Sequence, residues 1–297
     1  MKNFIKKEFI KHINSNFIDL VINNSKYNDN HYIKSINLWG KGNHAKNKSN
    51  YLGNKTHIEK LIQTFGEKDF YNDSYLEIGC GEGIDLKYVL QNFNINDVYT
   101  VDIGENIEKL SKRSDFKEVN FIRCDCLELP FLDESFKHIY SYGVFHHTKN
   151  FHKALLEAQR VLKKNGVLIF YTYKKHSNIL KKIGIHIESI LLKIFSKLDY
   201  SKTKFFCYLL SPLVLLFFSY PAHILKFFGS KKIYKMFPLW WGTTPENIIY
   251  DLTDRLYSPI NIRYNVDELK KILKDLNFSE ISIVDTRDGL FCRVVKE

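Results

Sequence analysis

Apolar and polar positions fall into a repeating order through the middle of the chain. Tyr75-Leu76-Glu77-Ile78 is a short, mostly apolar run, and glycines follow it at 79, 81 and 83. Leu86, Val89 and Leu90 then recur at helical spacing. The pattern predicts a buried strand, a tight turn and a helix N-terminus. Glycines suit that turn because they tolerate positive φ and let a ligand approach the backbone. A second strand runs through Val98-Tyr99-Thr100-Val101 to Asp102, and a helix is expected near 105–114. Val119–Ile122 reads as a third strand and 136–142 as a fourth. Ala154, Leu155, Ala158, Val161 and Leu162 line a helix predicted to end at Lys163-Lys164-Asn165-Gly166, with cations in its last turn. Val167–Tyr171 is the fifth strand. The chain finishes with a helix carrying Val266, Leu269, Ile272, Leu273 and Leu276. Two strand-like runs, 281–284 and 290–295, are joined by Asp288-Gly289, a hairpin signal.

The flanks follow other patterns. Phe4, Ile5, Phe9, Ile13, Phe17, Ile18 and Val21 recur at helical spacing and predict an amphipathic helix over 2–22. Residues 23–54, rich in Asn, Lys, Gly and His, read as irregular chain around Trp39-Gly40 and Tyr51, either a surface loop or a lid. Ile58, Leu61, Ile62 and Phe65 predict a helix over 56–65. Between the fifth strand and the last helix, 174–264 is far longer than a connection needs. Phe205 to Leu225 contains no Lys, Arg, Asp or Glu, and Leu180, Ile183, Ile187, Ile190, Leu191, Ile194 and Leu198 line a preceding helix face.

The glycine turn carries the first chemical signal. A dinucleotide-binding turn reads G-x-G-x-x-G, but its third glycine would fall on Ile84. The spacing here is G-x-G-x-G preceded by Glu77, which resembles the first motif of class I S-adenosylmethionine-dependent methyltransferases. Asp102, at the end of the second strand, has lone pairs for two ribose hydroxyls, as either cofactor requires. Asp125 matches the family's Asp after the third strand, which meets the adenine amino group; taken alone, a turn or helix cap is the other reading. Ser141-Tyr142-Gly143 leading to His146-His147 resembles the stretch after the family's fourth strand. The terminal hairpin also fits, since that sheet inserts its last strand antiparallel.

The resemblance therefore implies an α/β fold: a seven-stranded Rossmann-like sheet with helices on both faces and an antiparallel hairpin at the end. Residues 1–72 form an N-terminal helical or lid segment, 73–173 the cofactor-binding core, 174–264 a helical insertion, and 265–297 the completing helix and hairpin. It assigns S-adenosylmethionine to Glu77, Gly79, Cys80, Gly81, Gly83, Asp102, Ile103, Asp125, Cys126, Tyr142 and Gly143. The reaction it implies is methyl transfer to a small-molecule, sugar or lipid-linked acceptor. Where the acceptor is a hydroxyl, His146 is the expected base and His147 the second candidate. Arg255-Leu256-Tyr257-Ser258-Pro259 resembles a stretch in methyltransferases of bacterial surface-polysaccharide and lipid pathways. Trp240, Trp241 and Tyr257 either wall an acceptor pocket or pack.

Charge narrows the partners. The 297 residues carry a formal +11, and 174–235 alone holds twelve lysines against Glu188 and Asp199, a net +10. The apolar run argues for a lipid surface or a capping subdomain. A nucleic-acid groove would use Arg and stacking side chains, so an RNA methyltransferase is the weaker alternative; a non-catalytic cofactor-binding scaffold is another. A single membrane crossing is disfavoured, because the chain must return to the same sheet, and Pro212 and Pro221 are expected to interrupt the run. Apolar helices lying in an anionic interface, or the core of a cap, remain. Five scattered cysteines predict reduced thiols in the cytoplasm, and the lysine-rich apolar insertion adds the expectation of a peripheral place at the inner face of the membrane. The first twenty residues lack the apolar stretch of a signal peptide. Cys124-Asp125-Cys126 has no second Cys/His pair at zinc spacing, so no metal is expected.

Overall fold

The computed structural model describes residues 4–12, 16–21, 25–40, 56–67, 70, 73–176, 179–195, 197–229, 233–237, 244–258, 260–286 and 289–297. Its strands are β1 (Phe17–Asp19), β2 (Ser74–Ile78), β3 (Asp97–Asp102), β4 (Val119–Arg123), β5 (Phe136–Tyr142), β6 (Leu162–Tyr173), β7 (Phe278–Asp285) and β8 (Gly289–Lys296). They form one sheet in the order β1-β4-β3-β2-β5-β6-β8-β7. β1 to β6 pair in parallel, and β8 lies antiparallel between β6 and β7. Every residue of β2 is buried, as expected of a central parallel strand covered on both faces. The helices are α1 (Asn30–Ser35), α2 (His57–Phe65), α3 (Ile84–Asn92), α4 (Asn106–Ser111), α5 (Phe151–Val161), α6 (Ile179–Phe195), α7 (Tyr200–Val214), α8 (Tyr220–Phe227), α9 (Pro245–Tyr257) and α10 (Val266–Asp275).

The sheet has eight strands where seven were expected, and the extra one corrects the reading of 2–22. That segment makes a short 3-10 turn at Lys7–His12 and then β1. Ile18 pairs with Ile122 on the open edge of β4, and Asp19 meets Arg123 at 3.1 Å. Spacing suggested one helical face, but the apolar side chains serve different partners. Phe4 packs on Tyr99 and Phe136, whereas Ile18 extends the sheet. The helix expected to close at 163–166 stops at Val161, because Leu162 turns extended and pairs with Phe136. At the hairpin, Gly289 opens β8; Asp288 lies outside the described residues, as do Trp240, Trp241 and Pro259.

The insertion also departs from expectation. Pro212 and Pro221 do not break the helix, which runs from Tyr200 to Phe227. Between them Leu215–Ser219 is a π-helical turn, and the Tyr220 N–H reaches back to the Leu215 carbonyl. A π turn widens the helix where a proline ring would clash with the preceding turn, so the run continues. α6, α7 and α9 share a small core of Phe195, Cys207 and Leu256.

Candidate active site

At β2, neighbours diverge: β3 lies on one side and β5 on the other, which leaves a crevice at the strands' carboxyl ends. A cavity of 1220 Å³ opens there, floored by the ends of β2, β3 and β5 and walled by α6, α7 and α9. It exceeds the roughly 300–1,000 Å³ of a drug-sized pocket.

The glycine turn forms its floor. Gly79 has φ +84°, and a Cβ there would stand 2.1 Å from Val144 Cγ2. Gly81 (φ +53°) and Gly143 (φ +75°) face open space instead. Gly83 is not on the cavity wall among the described residues. It caps α3, and a Cβ there would stand 3.1 Å from the Phe116 ring, so its conformation shapes the turn from behind. Glu77, Cys80, Asp102, Ile103, Asp125, Cys126 and Tyr142 all line the cavity with Gly79, Gly81 and Gly143.

Three carboxylates differ in their commitments. Asp102 accepts the N–H groups of Gly81 (2.9 Å) and Gly104 (2.7 Å), tying the turn to β3; burial nevertheless pushes its pKa up. Asp125 accepts the Tyr32 hydroxyl at 2.6 Å and the Leu127 N–H at 2.9 Å. Tyr32 comes from α1, so part of the segment read as loop or lid is a helix set over the Asp125 side; residues 41–55 lie outside the described residues. Glu77 is 2 % exposed, and its Oε2 has no hydrogen-bond partner among the described residues. Burial, with Asp85 and Asp102 nearby, pushes its pKa well above the carboxylate range. Burial beside Asp125 likewise pushes the Cys124 and Cys126 thiols up.

A second cluster escaped the sequence reading. Buried Asp85 accepts the backbone N–H groups of His57 (2.9 Å) and Ile58 (3.2 Å) and the Tyr140 hydroxyl (2.9 Å). Its Oδ2 lies 3.3 Å from His57 Nδ1. Those partners outweigh desolvation and hold its pKa low. The His57 ring stacks on Tyr142 at 4.0 Å, and Tyr142 stacks on Tyr171 at 4.4 Å. Asp85 thereby docks α2 onto the glycine turn and fixes an imidazole on the cavity wall.

The predicted histidine pair divides. His146 is fully buried, lies off the cavity wall, and neither ring nitrogen has a partner among the described residues. Desolvation lowers its pKa well below the usual value, and its ring packs 4.0 Å from Tyr173. His147 lines the cavity. Its Nδ1 is 2.8 Å from the Ile260 carbonyl oxygen, which requires the hydrogen on Nδ1. Burial lowers its pKa too, keeping the ring neutral at pH 7.

The insertion supplies the opposite wall. Glu188 joins Arg255 (3.2 Å) and Arg263 (2.8 Å), and Asp251 holds Arg255 at 2.7 Å. Beyond this charged patch the wall is apolar, formed by Ile183, Ile187, Leu213, Phe217 and Phe218. Leu256, read as part of a family stretch, also lines it; Tyr257 is buried beside α7, with its ring 5.5 Å from Tyr200, and does not.

Comparison with known proteins agrees with this geometry. Residues 76–170 match the family model described as a methyltransferase domain. This segment is a methyltransferase domain. Among relatives, phthiotriol/phenolphthiotriol dimycocerosates methyltransferase of Mycobacterium tuberculosis is 27% identical over 127 residues, 42% of this chain and 47% of that protein. Fatty-acid O-methyltransferase of Mycolicibacterium smegmatis is 25% identical over 118 residues, 39% and 43% of the two chains. An uncharacterized protein of Methanocaldococcus jannaschii, MJ0638, is 35% identical over 127 residues, 42% and 51%. The chain thus spans about half the length of the curated relatives it matches.

The cofactor of such a domain is S-adenosylmethionine, and the residues present fit it. Gly81 and Gly143 leave backbone room that any Cβ would occupy. Glu77 offers a buried, unpartnered carboxylate oxygen, which suits a ligand carrying an ammonium and a sulfonium. Asp102 and Asp125 keep acceptor capacity beyond the bonds they already make.

Proposed function

We propose that the chain transfers the methyl group of S-adenosylmethionine to an oxygen of a lipid-like acceptor. The observation that carries this reading is continuity. One cavity joins the glycine turn and Glu77 to an apolar wall long enough for a second, hydrophobic ligand. The names of two relatives, a fatty-acid O-methyltransferase and a dimycocerosate methyltransferase, point the same way.

Bound at the turn, the cofactor would supply a sulfonium-activated methyl group; the acceptor oxygen would form the new C–O bond as the C–S bond breaks and the neutral thioether leaves. Glu77 and the glycine backbone would hold its amino-acid end, Asp102 its ribose, and Asp125, braced by Tyr32, its adenine. Tyr142, fixed between His57 and Tyr171, and Gly143 would edge the reacting centre and help to orient donor and acceptor. His147 takes the hydroxyl proton in preference to His146, because it lies on the cavity wall and the Ile260 carbonyl sets its tautomer. We further take the chain as cytoplasmic and peripheral at an anionic membrane. Five buried free thiols and the lysine-rich insertion support this.

Incubation with methyl-labelled S-adenosylmethionine and a fractionated lysate tests the reading. Label in the organic-phase lipid is expected. Label in RNA, or tight cofactor binding without transfer to any fraction, would overturn it.

A further inference from the structure

Among the described residues, eighteen of the large apolar side chains left exposed belong to one stretch, 179–233. Ile179, Ile183, Ile187, Ile190 and Ile194 are 47–65 % exposed along α6, and Phe227 and Phe228 reach 85 % and 79 % at the tip of α8. So many exposed apolar side chains in one stretch point to an interaction site. The long helix does not stand away from the protein. Thr203, Cys207, Ser211, Leu215, Ser219 and Ala222 form a buried stripe along almost its whole length. Small residues on one face seat it on the body, so it lies along the surface and presents the opposite, apolar face outward. Lys182, Lys193, Lys197, Lys202, Lys204 and Lys226 are exposed in the same stretch. Twelve lysines and two acids in 174–235 make its surroundings strongly basic.

We propose that the outer face of α6, α7 and α8 docks in the headgroup region of an anionic leaflet, and that the cavity opens through this same face. Five residues carry the second half of the statement. Ile183, Ile187, Leu213, Phe217 and Phe218 line the cavity, yet each is 39–61 % exposed. The inner wall of the site and the outer docking face are therefore the same side chains. A chain-bearing acceptor enters sideways from the bilayer, its tail along these residues and its polar end toward Glu188, Arg255 and the methyl centre, without its tail crossing water. This entry route rests on the lipid-acceptor reading; the docking itself does not. Lysine-rich apolar helices select an anionic leaflet over a second copy of the chain, which would meet an equally basic face.

Three measurements on the full chain test it. Cosedimentation with phosphatidylglycerol–phosphatidylcholine vesicles is expected, with at least tenfold weaker binding to pure phosphatidylcholine. Phe227→Ser with Phe228→Ser, at exposed positions off the cavity wall, is expected to reduce vesicle binding at least tenfold while leaving S-adenosylmethionine affinity unchanged. Tryptophan placed at the mouth, Phe217→Trp, is expected to be quenched by brominated phosphatidylcholine in anionic vesicles. Leu156→Trp, exposed on α5, is expected to add no quenched emission. Vesicle binding without quenching at position 217 would overturn the shared face, even if lipid is methylated. No vesicle binding, with a concentration-dependent dimer by light scattering, would overturn docking in favour of self-association. Quenching at 217 with no methyl label in lipid would leave docking standing and remove the lipid-acceptor reading.

Discussion

Replacing Glu77 by glutamine separates a cofactor cradle from an ordinary buried strand. Glu77 sits in fully buried β2 with Oε2 unpartnered, while Asp85 and Asp102 raise the cost of its ionisation. In the free protein its folded pKa therefore lies above the unfolded value, and the carboxyl retains a proton that an exposed glutamate has lost. A cationic ligand reverses that balance: the carboxylate forms a charge-assisted hydrogen bond and releases the proton. Hydrogen bonds to charged groups are worth about 1.5–3 kcal/mol, or roughly 10–150-fold in Kd. Calorimetry at pH 7.5 should show Glu77→Gln weakening S-adenosylmethionine binding by about that factor. At a pH between the ordinary glutamate value near 4.5 and its raised folded value, wild-type binding should release a proton, seen as a buffer-dependent heat, and the variant should not. Stability moves the other way. Because the folded pKa is raised, wild-type stability falls relative to the variant as pH rises above the ordinary glutamate range near 4.5, and the two converge below it. The variant's Tm at pH 8 should equal or exceed that of wild type. Unchanged cofactor affinity, or a large fall in Tm at pH 8, would refute the reasoning.

Gly81→Ala fills open space at φ +53°, so thermal unfolding should show a cost of only about 1 kcal/mol, while calorimetry should show cofactor affinity lost. Asp85→Asn disturbs the bonds to His57, Ile58 and Tyr140 and should cost about 1–3 kcal/mol in urea unfolding. The depressed Asp85 pKa means its stabilisation is present above the ordinary aspartate value near 3.8 and is lost as pH falls through the folded value. The difference from the variant should therefore persist at pH 5 and close in stronger acid. His147→Asn should lower kcat about 100-fold and abolish the acid limb of the pH–rate profile. In wild type that limb should fall below pH 6.5, because burial lowers the imidazole pKa. His146→Asn should shift Tm without moving the limb.

Local order explains what the sequence disclosed. The β2 turn, Asp102 at the end of β3 and the two strands of the hairpin are each written within a dozen residues, where periodicity and glycine spacing act directly. The apolar, lysine-rich insertion was legible from composition alone. Long-range pairing was not. Asp85 meets His57 across 28 residues and Tyr140 across 55, and nothing local in α3 distinguishes it from a solvent-facing aspartate. Tyr32 reaches Asp125 across 93 residues. The N-terminal segment misled for a related reason: its apolar spacing suits a helix, but the open edge of β4 offered backbone hydrogen bonds and a partner for Ile18. Pro212 and Pro221 were read as breaks because a π turn between them leaves no local signature. His146 and His147 are adjacent in sequence, yet only tertiary packing puts one on the wall and the other in the core.

The most direct test is the fate of the methyl group. With vesicles made from the lysate's own lipid extract and methyl-tritiated S-adenosylmethionine, the account predicts organic-phase radioactivity that grows with time and disappears in Gly81→Ala. Counts that stay wholly in the aqueous or RNA fraction, from protein shown to bind the donor, would contradict it.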